Sequence, residues 1–267
     1  MYVDSHCHLS FPELHGRLPE LRREMAAAQV DRALCICTAL EEFGRVHEMA
    51  LAHDNFWCTV GVHPDNEGVQ EPSLEDLLLR CRLPRVVAIG ETGLDYYRLN
   101  GRGVAQMDWQ RERFRVHIRA ARESGLPLVV HTRSASADTL ALLREEGQGA
   151  VRGVFHCFTE TRAVAAAALE LGFDISFSGI LTFRNAEELR EVARFVPLER
   201  CLIETDSPYL APMPYRGKAN HPALVPYVAA KLAELKNLPV CEVARTTSAN
   251  FERLFRLPPL AQALEKT

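Results

Sequence analysis

Tyr2-Val3-Asp4-Ser5-His6-Cys7-His8-Leu9-Ser10 opens the chain with a short β-rich run that ends in a pair of imidazoles. Its reading decides the fold. A doubly wound sheet normally follows its first strand with a glycine fingerprint that cradles a phosphate. That position here holds two histidines and no glycine. Histidines two apart on a strand point to the same side. Neutral imidazole is a ligand for zinc and related divalent ions. The stretch predicts a strand that ends at a metal site, not at a dinucleotide.

Seven more β-rich runs follow, at 33–38, 56–62, 86–90, 128–131, 153–156, 173–177 and 201–205. Amphipathic helical patterns separate them, at 18–29, 41–53, 73–82, 105–123, 136–145, 162–171 and 186–195. Two more, 222–235 and 241–255, follow the last run. Strand and helix alternating eight times predict a (β/α)8 TIM barrel of the α/β class. Ser73 with Asp76 three residues on reads as a helix start, and Gly125 before Leu126-Pro127 as a helix end. No Ser/Gly/Pro-rich linker divides the chain, so the expectation is one domain over 1–267.

The 267 residues suit a single barrel, which typically needs about 250. With 47% hydrophobic and 25% charged residues, the chain can bury a sizeable core. The net charge of -4 excludes a general basic field for long duplex nucleic acid, but not a local basic mouth. The eight cysteines form no CxxC pair and mostly lie in apolar runs, which reads as reduced thiols in a cytoplasmic protein. No signal peptide is expected before Tyr2, and no apolar stretch approaches the roughly 20 residues of a membrane span.

Glu91, His131, His156 and Asp206 sit at the ends of later β-rich runs. In a parallel barrel those ends converge on one face. Together with His6 and His8 they make four imidazoles and two carboxylates. A single catalytic zinc typically takes three protein ligands, so six fit two ions better. Glu91, between the two histidine groups, is the expected bridge. Two ions about 4 Å apart can activate water and stabilise both attacking and leaving oxygens of a phosphoryl displacement. Asp206 is suited by type to bind one ion and accept the water's proton. Asp206 and Glu91 are therefore the candidate catalytic residues. Zn, Mg, Mn and Ni all suit mixed imidazole and carboxylate ligands.

The same residues carry a resemblance. The chain resembles TatD-type metal-dependent deoxyribonucleases, within the amidohydrolase-like barrels. The matching stretches run from Val3-Asp4-Ser5-His6-Cys7-His8 through Gly61-Val62-His63-Pro64 and Gly90-Glu91-Thr92-Gly93-Leu94-Asp95. They continue with Pro127–Arg133, His156-Cys157-Phe158, Phe177-Ser178-Gly179, Glu204–Leu210 and Asn250-Phe251. The resemblance implies that His6, His8 and Asp206 bind a first ion, that Glu91 bridges, and that His131 and His156 bind a second. It implies a deoxyribonuclease that trims single-stranded or 3′-terminal DNA. The loop Arg216-Gly217-Lys218-Ala219-Asn220-His221-Pro222 matches at its key positions and leaves substrate preference open.

His63, Arg133 and Lys218 are the candidate substrate contacts. His63 reads as a phosphate or leaving-group contact, with loop packing as the alternative. Arg133 offers a planar fork to phosphate. Lys218 meets a nucleic-acid backbone, or is simply solvated. Asp4 shares a side with His6 and His8 by strict alternation, and either orients a ligand or bonds to backbone. Glu204 reads as structural rather than catalytic, able to hold a histidine ring or an arginine. Asp95 and Tyr96 read as loop geometry, with substrate contact as the alternative. The arginines 111, 113, 115, 119 and 122 read as a solvated outer helix face, and His117 as packed. Two other function classes stay open: a metal hydrolase of amide, lactone or aminoacyl-ester bonds, and a metal-binding scaffold without turnover. Oligomeric state is not legible here.

Overall fold

The computed structural model describes residues 1–259. The end of the expected domain, 260–267, lies outside the described residues. The strands are β1 (Tyr2–Cys7), β2 (Val30–Cys35), β3 (Phe56–Val60), β4 (Val86–Asp95), β5 (Leu128–Arg133), β6 (Gly153–Phe155), β7 (Phe173–Phe177) and β8 (Cys201–Ile203). All pair in parallel in the order β1 to β8. Backbone contacts of Asp206 N–H to the His6 carbonyl and His8 N–H to the Ser207 carbonyl bring the last edge to the first. The sheet thus closes into a ring of eight.

The helices around it are α1 (Pro12–His15), α2 (Leu18–Ala27), α3 (Phe43–Leu51), α4 (Leu74–Cys81), α5 (Asp108–Ser124), α6 (Ser136–Gly147), α7 (Arg162–Glu170), α8 (Glu187–Phe195), α9 (Val225–Lys236) and α10 (Val240–Phe255). Local chemistry starts and stops them. Ser73 and Asp76 form a reciprocal capping box on α4. Gly125 ends α5 at φ 71, a left-handed turn that glycine adopts without a Cβ clash. The short α1 has no counterpart in the periodicity, because four residues cannot show a helical repeat.

One apolar layer fills the lower barrel. Val3, Leu34, Trp57, Ala88, Val129, Val154 and Leu202 come from seven strands and cluster with Phe251 and Phe255 of α10. The alternate strand residues, such as Cys58, Ile89, Val130, Phe155, Ile175 and Ile203, pack against the helices. This is two-residue alternation in a closed sheet, inner face against outer face.

Alternation breaks where the site begins. The register shifts between Asp4 and Cys7 in β1, and between Ile89 and Thr92 in β4. Val3 belongs to the inner layer, and Ser5 reaches across to Ser176 of β7 at 3.2 Å. His6, the next residue, nevertheless also faces inward. Likewise Ala88 and Glu91 both face inward although they are three apart. Strict alternation therefore misplaces Asp4. Of its two expected roles the backbone one holds: its carboxylate accepts the Thr205 N–H and hydroxyl and the His6 N–H, which ties β1 to the end of β8. β4 also runs five residues beyond its expected end at 90 and pairs with β5 as far as Asp95 and Arg133.

Candidate metal centre

Two glycines allow the strands to close on the site. A Cβ on Gly61 would lie 2.6 Å from the Gly90 carbonyl carbon, and one on Gly93 would lie 1.9 Å from the His131 carbonyl oxygen. Gly93 also has φ +133, which side-chain-bearing residues rarely adopt. Glu91 thus comes up between β3 and β5 with its neighbours in near contact.

All six candidate ligands meet at the C-terminal ends of the strands. Glu91 is buried at the centre, and its two oxygens face different partners. Oε2 lies 3.3 Å from His6 Nε2 and 3.8 Å from His8 Nε2. Oε1 lies 2.8 Å from His156 Nε2, 3.3 Å from His131 Nδ1 and 3.2 Å from His63 Nε2. Asp206 Oδ1 closes the first half, 3.5 Å from His6 Nε2 and 3.4 Å from His8 Nε2. The rings of His6 and His156 stack at 3.8 Å and join the halves.

Outer partners decide which nitrogen of each ring faces inward. His131 Nε2 meets Asp95 Oδ2 at 2.9 Å, which turns the Nδ1 lone pair to the centre. His156 Nδ1 meets Glu204 Oε1 at 3.3 Å, which turns Nε2 inward. Glu204 is the ring holder that its position in the sequence allowed. Asp95 is not mere loop geometry, because it ends β4 and holds a candidate ligand. Tyr96 beside it does read as structure, with its hydroxyl on Asp138 at 2.7 Å.

His63 enters the cluster as a donor. Its Nδ1 accepts the Asp65 N–H at 3.1 Å, so its proton sits on Nε2, toward Glu91. Arg133 is exposed, and its guanidinium carbon lies over the Tyr97 ring, 3.6 Å from its centre. Lys218 is exposed on the loop after β8, 5.8 Å from the Tyr215 ring centre. The structure brings His63 to the candidate ligands and keeps Arg133 and Lys218 on the rim.

Helix α5 corrects the reading of its arginines. Arg113 is buried, not solvated. It donates to the carbonyls of His63 and Asn66 at 2.8 Å and pairs with Glu71. Gln110 accepts the Asp95 N–H, and His117 Nε2 accepts the Val62 N–H at 3.1 Å. Residues 110, 113 and 117 share one helix face. That polar stripe, turned to the barrel, fixes the ends of β3 and β4. The i, i+3, i+7 spacing was the available signal, hidden by the four flanking arginines.

Electrostatics favour cations throughout. Burial works against charge on Glu91, but His156, His63 and His131 outweigh it and hold its carboxyl well below the usual range. Burial likewise opposes charge on Asp206, and His8 and His6 hold that carboxyl low. His8, His131 and His156 are raised, because the facing carboxylates overcome burial. His6 is lowered by burial and by the charge of His156. A bound cation replaces these protons in the same field, so affinity falls in acid.

The donor set fits divalent metal. Three groups of residues bring ligand atoms within 4.8 Å of one another: His6 with His156 and Asp206, His6 with His8 and Glu91, and His63 with Glu91 and His131. His156 Nε2 is buried and lies near Glu91 without hydrogen-bond geometry, as a ligand lone pair would. Imidazoles and carboxylates in this mixture suit zinc-class ions.

Comparison with known proteins agrees with this chemistry. The family model described as TatD related DNase matches residues 3–256. The metal-dependent hydrolase YcfH of Escherichia coli K12 is 48% identical over 96% of each chain. The 3′-5′ ssDNA/RNA exonuclease TatD of Citrobacter koseri is 35% identical, over 86% of this chain and 89% of that one. The crystal structure of YjjV, an Escherichia coli TatD homologue, superposes with a TM-score of 0.88 at 30% identity, covering 96% of this chain and 98% of that one. Among the described residues no helix is long and apolar enough to cross a membrane. All eight cysteines are free thiols.

Proposed function

We propose, for a chain that belongs to the TatD-related DNase family and is a metal-dependent hydrolase, that it cleaves phosphodiester bonds of single-stranded or 3′-terminal DNA with two divalent ions. The divided contacts of the Glu91 carboxylate carry this reading. One oxygen faces His6 and His8, and the other faces His131 and His156. On this reading His6, His8 and Asp206 would hold one ion and His131 and His156 the other, with the Glu91 carboxylate available to both. The exonuclease name of the Citrobacter relative supports the substrate class.

When bound, the ions supply an acidified water and positive charge for the phosphoryl transition state. The chain's own residues handle protons and position. Asp206, held ionised by His8 and His6 despite burial, accepts a proton from the attacking water. His63, neutral with its one proton on Nε2, donates a hydrogen bond to the departing oxygen, which takes its proton from solvent. Arg133 and Lys218 take phosphate oxygens from the rim. A single strand can enter a concave mouth end-first, whereas a duplex interior cannot. Free thiols suit a cytoplasmic setting.

The test is elemental analysis of the purified protein, followed by oligonucleotide cleavage with Zn, Mg, Mn or Ni restored in turn. The expected result is about two ions per chain and metal-dependent shortening of single strands. Cleavage of aminoacyl esters while oligonucleotides stay intact would overturn the reading.

A further inference from the structure

The mouth carries aromatic rings that proton handling leaves unused. Phe11 stacks on the outer face of the His8 ring, with centroids 4.6 Å apart and planes 20° apart. Tyr209 meets the edge of Phe11 at 6.4 Å and is 53% exposed. Tyr97, 61% exposed, carries the Arg133 guanidinium on one face. Phe11 follows β1 and Tyr209 follows β8, which are neighbours. Tyr97 follows β4 and Arg133 ends β5, half a turn away in a ring of eight strands. The two pairs therefore belong to opposite sides of the strand ring whose ends carry the ligand cluster.

Neither ring hangs on a loose loop. Tyr209 N–H bonds the Asp206 carbonyl at 3.0 Å, and its own carbonyl accepts Asn220 Nδ2 at 2.7 Å. Asn220 is buried, and the same amide also holds the Thr205 carbonyl at 2.8 Å. Asp206 and Leu210 both have positive φ, so the chain turns twice around Tyr209. On the other side, Tyr97 N–H bonds Asp95 Oδ1 at 2.8 Å, and Asp95 Oδ2 holds His131. Each exposed tyrosine is thus one backbone bond from a residue that faces the cluster. An exposed ring gains little from apolar burial. Rigid placement beside the site gives it another use.

We infer that Tyr209, backed by Phe11, and Tyr97, backed by Arg133, are stacking subsites for the two nucleobases that flank the scissile phosphate of a single strand. The inference rests on the phosphodiester reading above. Every base has a π-face, so such subsites accept any sequence. Paired bases keep their faces stacked on one another, so a duplex cannot use them without melting. Asn220 acts as a positioning residue, joining the Tyr209 subsite to Asp206.

The test uses metal-loaded full-length protein, with Tyr209→Ala, Tyr209→Phe, Tyr97→Ala and Tyr97→Phe. The probes are a single-stranded oligonucleotide with fluorescent aminopurine at its end and the same strand with abasic end positions. Each alanine variant should weaken binding and raise KM on the intact strand by about 5- to 150-fold, with loss of aminopurine quenching. The phenylalanine variants should recover most of that loss. On the abasic strand, wild type and alanine variants should behave alike. Equal KM and equal quenching in wild type and alanine variants overturn the subsites and leave the hydrolytic reading standing. A loss that persists on the abasic strand also overturns them, as a structural effect. Tyrosine-dependent quenching by a wild type that cuts no strand removes the hydrolytic reading and keeps the subsites.

Discussion

The two ends of the barrel share the same strands and differ in what those strands turn inward. At the lower end Val3, Leu34, Ala88, Val129, Val154 and Leu202 meet Phe251 and Phe255 in an apolar layer. At the upper end His6, Glu91, His131, His156 and Asp206 crowd their charged or chargeable atoms within hydrogen-bond distance of one another. Each inner residue below contributes favourable burial, about 25 cal/mol per Å². Each polar group above loses water and recovers only part of that cost from its partners. The lower end stabilises the ring, and the upper end draws on that stability to hold a cation site.

Glu91→Ala is the sharpest way to break the contrast. Hydrolysis should fall on the order of 10³-fold or more, because both halves of the cluster lose the carboxylate that faces them. The melting temperature should move by only a few degrees. Calorimetry beside a cleavage assay decides it, and a collapse of the fold would show that the upper end also stabilises. Phe251→Ala is the mirror experiment. It should cost about 3–5 kcal/mol in denaturant unfolding, while kcat of the folded fraction stays near wild type.

His117 sharpens the comparison from outside the ring. Burial lowers its pKa to about 4, against 6.5 for the ordinary side chain. The folded state therefore resists a proton that the unfolded state accepts. Stability from the neutral ring is present above about pH 6.5 and is lost as the pH falls toward 4. The loss is at most about 3 kcal/mol. Chemical unfolding from pH 7 to 4 should show this slope in wild type and less of it in His117→Gln. The smallest effect is expected for Asp95→Asn. Metal affinity should fall about 10- to 100-fold by calorimetric titration, as His131 loses the carboxylate that orients it.

Much of the site was legible in one dimension. His6, His8, Glu91, His131, His156 and Asp206 stand at or just beyond the ends of β-rich runs, and a parallel ring brings such ends together. Asp95 was not legible, because β4 outruns its apolar segment and only pairing with β5 reveals it as a strand residue. Arg113 was hidden among arginines whose burial depends on how α5 rolls against β4. Asp4 was assigned to the wrong side because alternation assumes an unbroken register, and β1 breaks between Asp4 and Cys7.

By itself, then, the sequence determined the class of fold and the inventory of ligand-type residues. Both follow from local periodicity and from side-chain chemistry. Tertiary structure alone decided which oxygen of Glu91 meets which imidazole, which nitrogen of each histidine turns inward, and that Tyr97 and Tyr209 belong to opposite sides of the strand ring. Those outcomes depend on register shifts and ring closure, which couple residues far apart in the sequence and leave no trace in a local pattern.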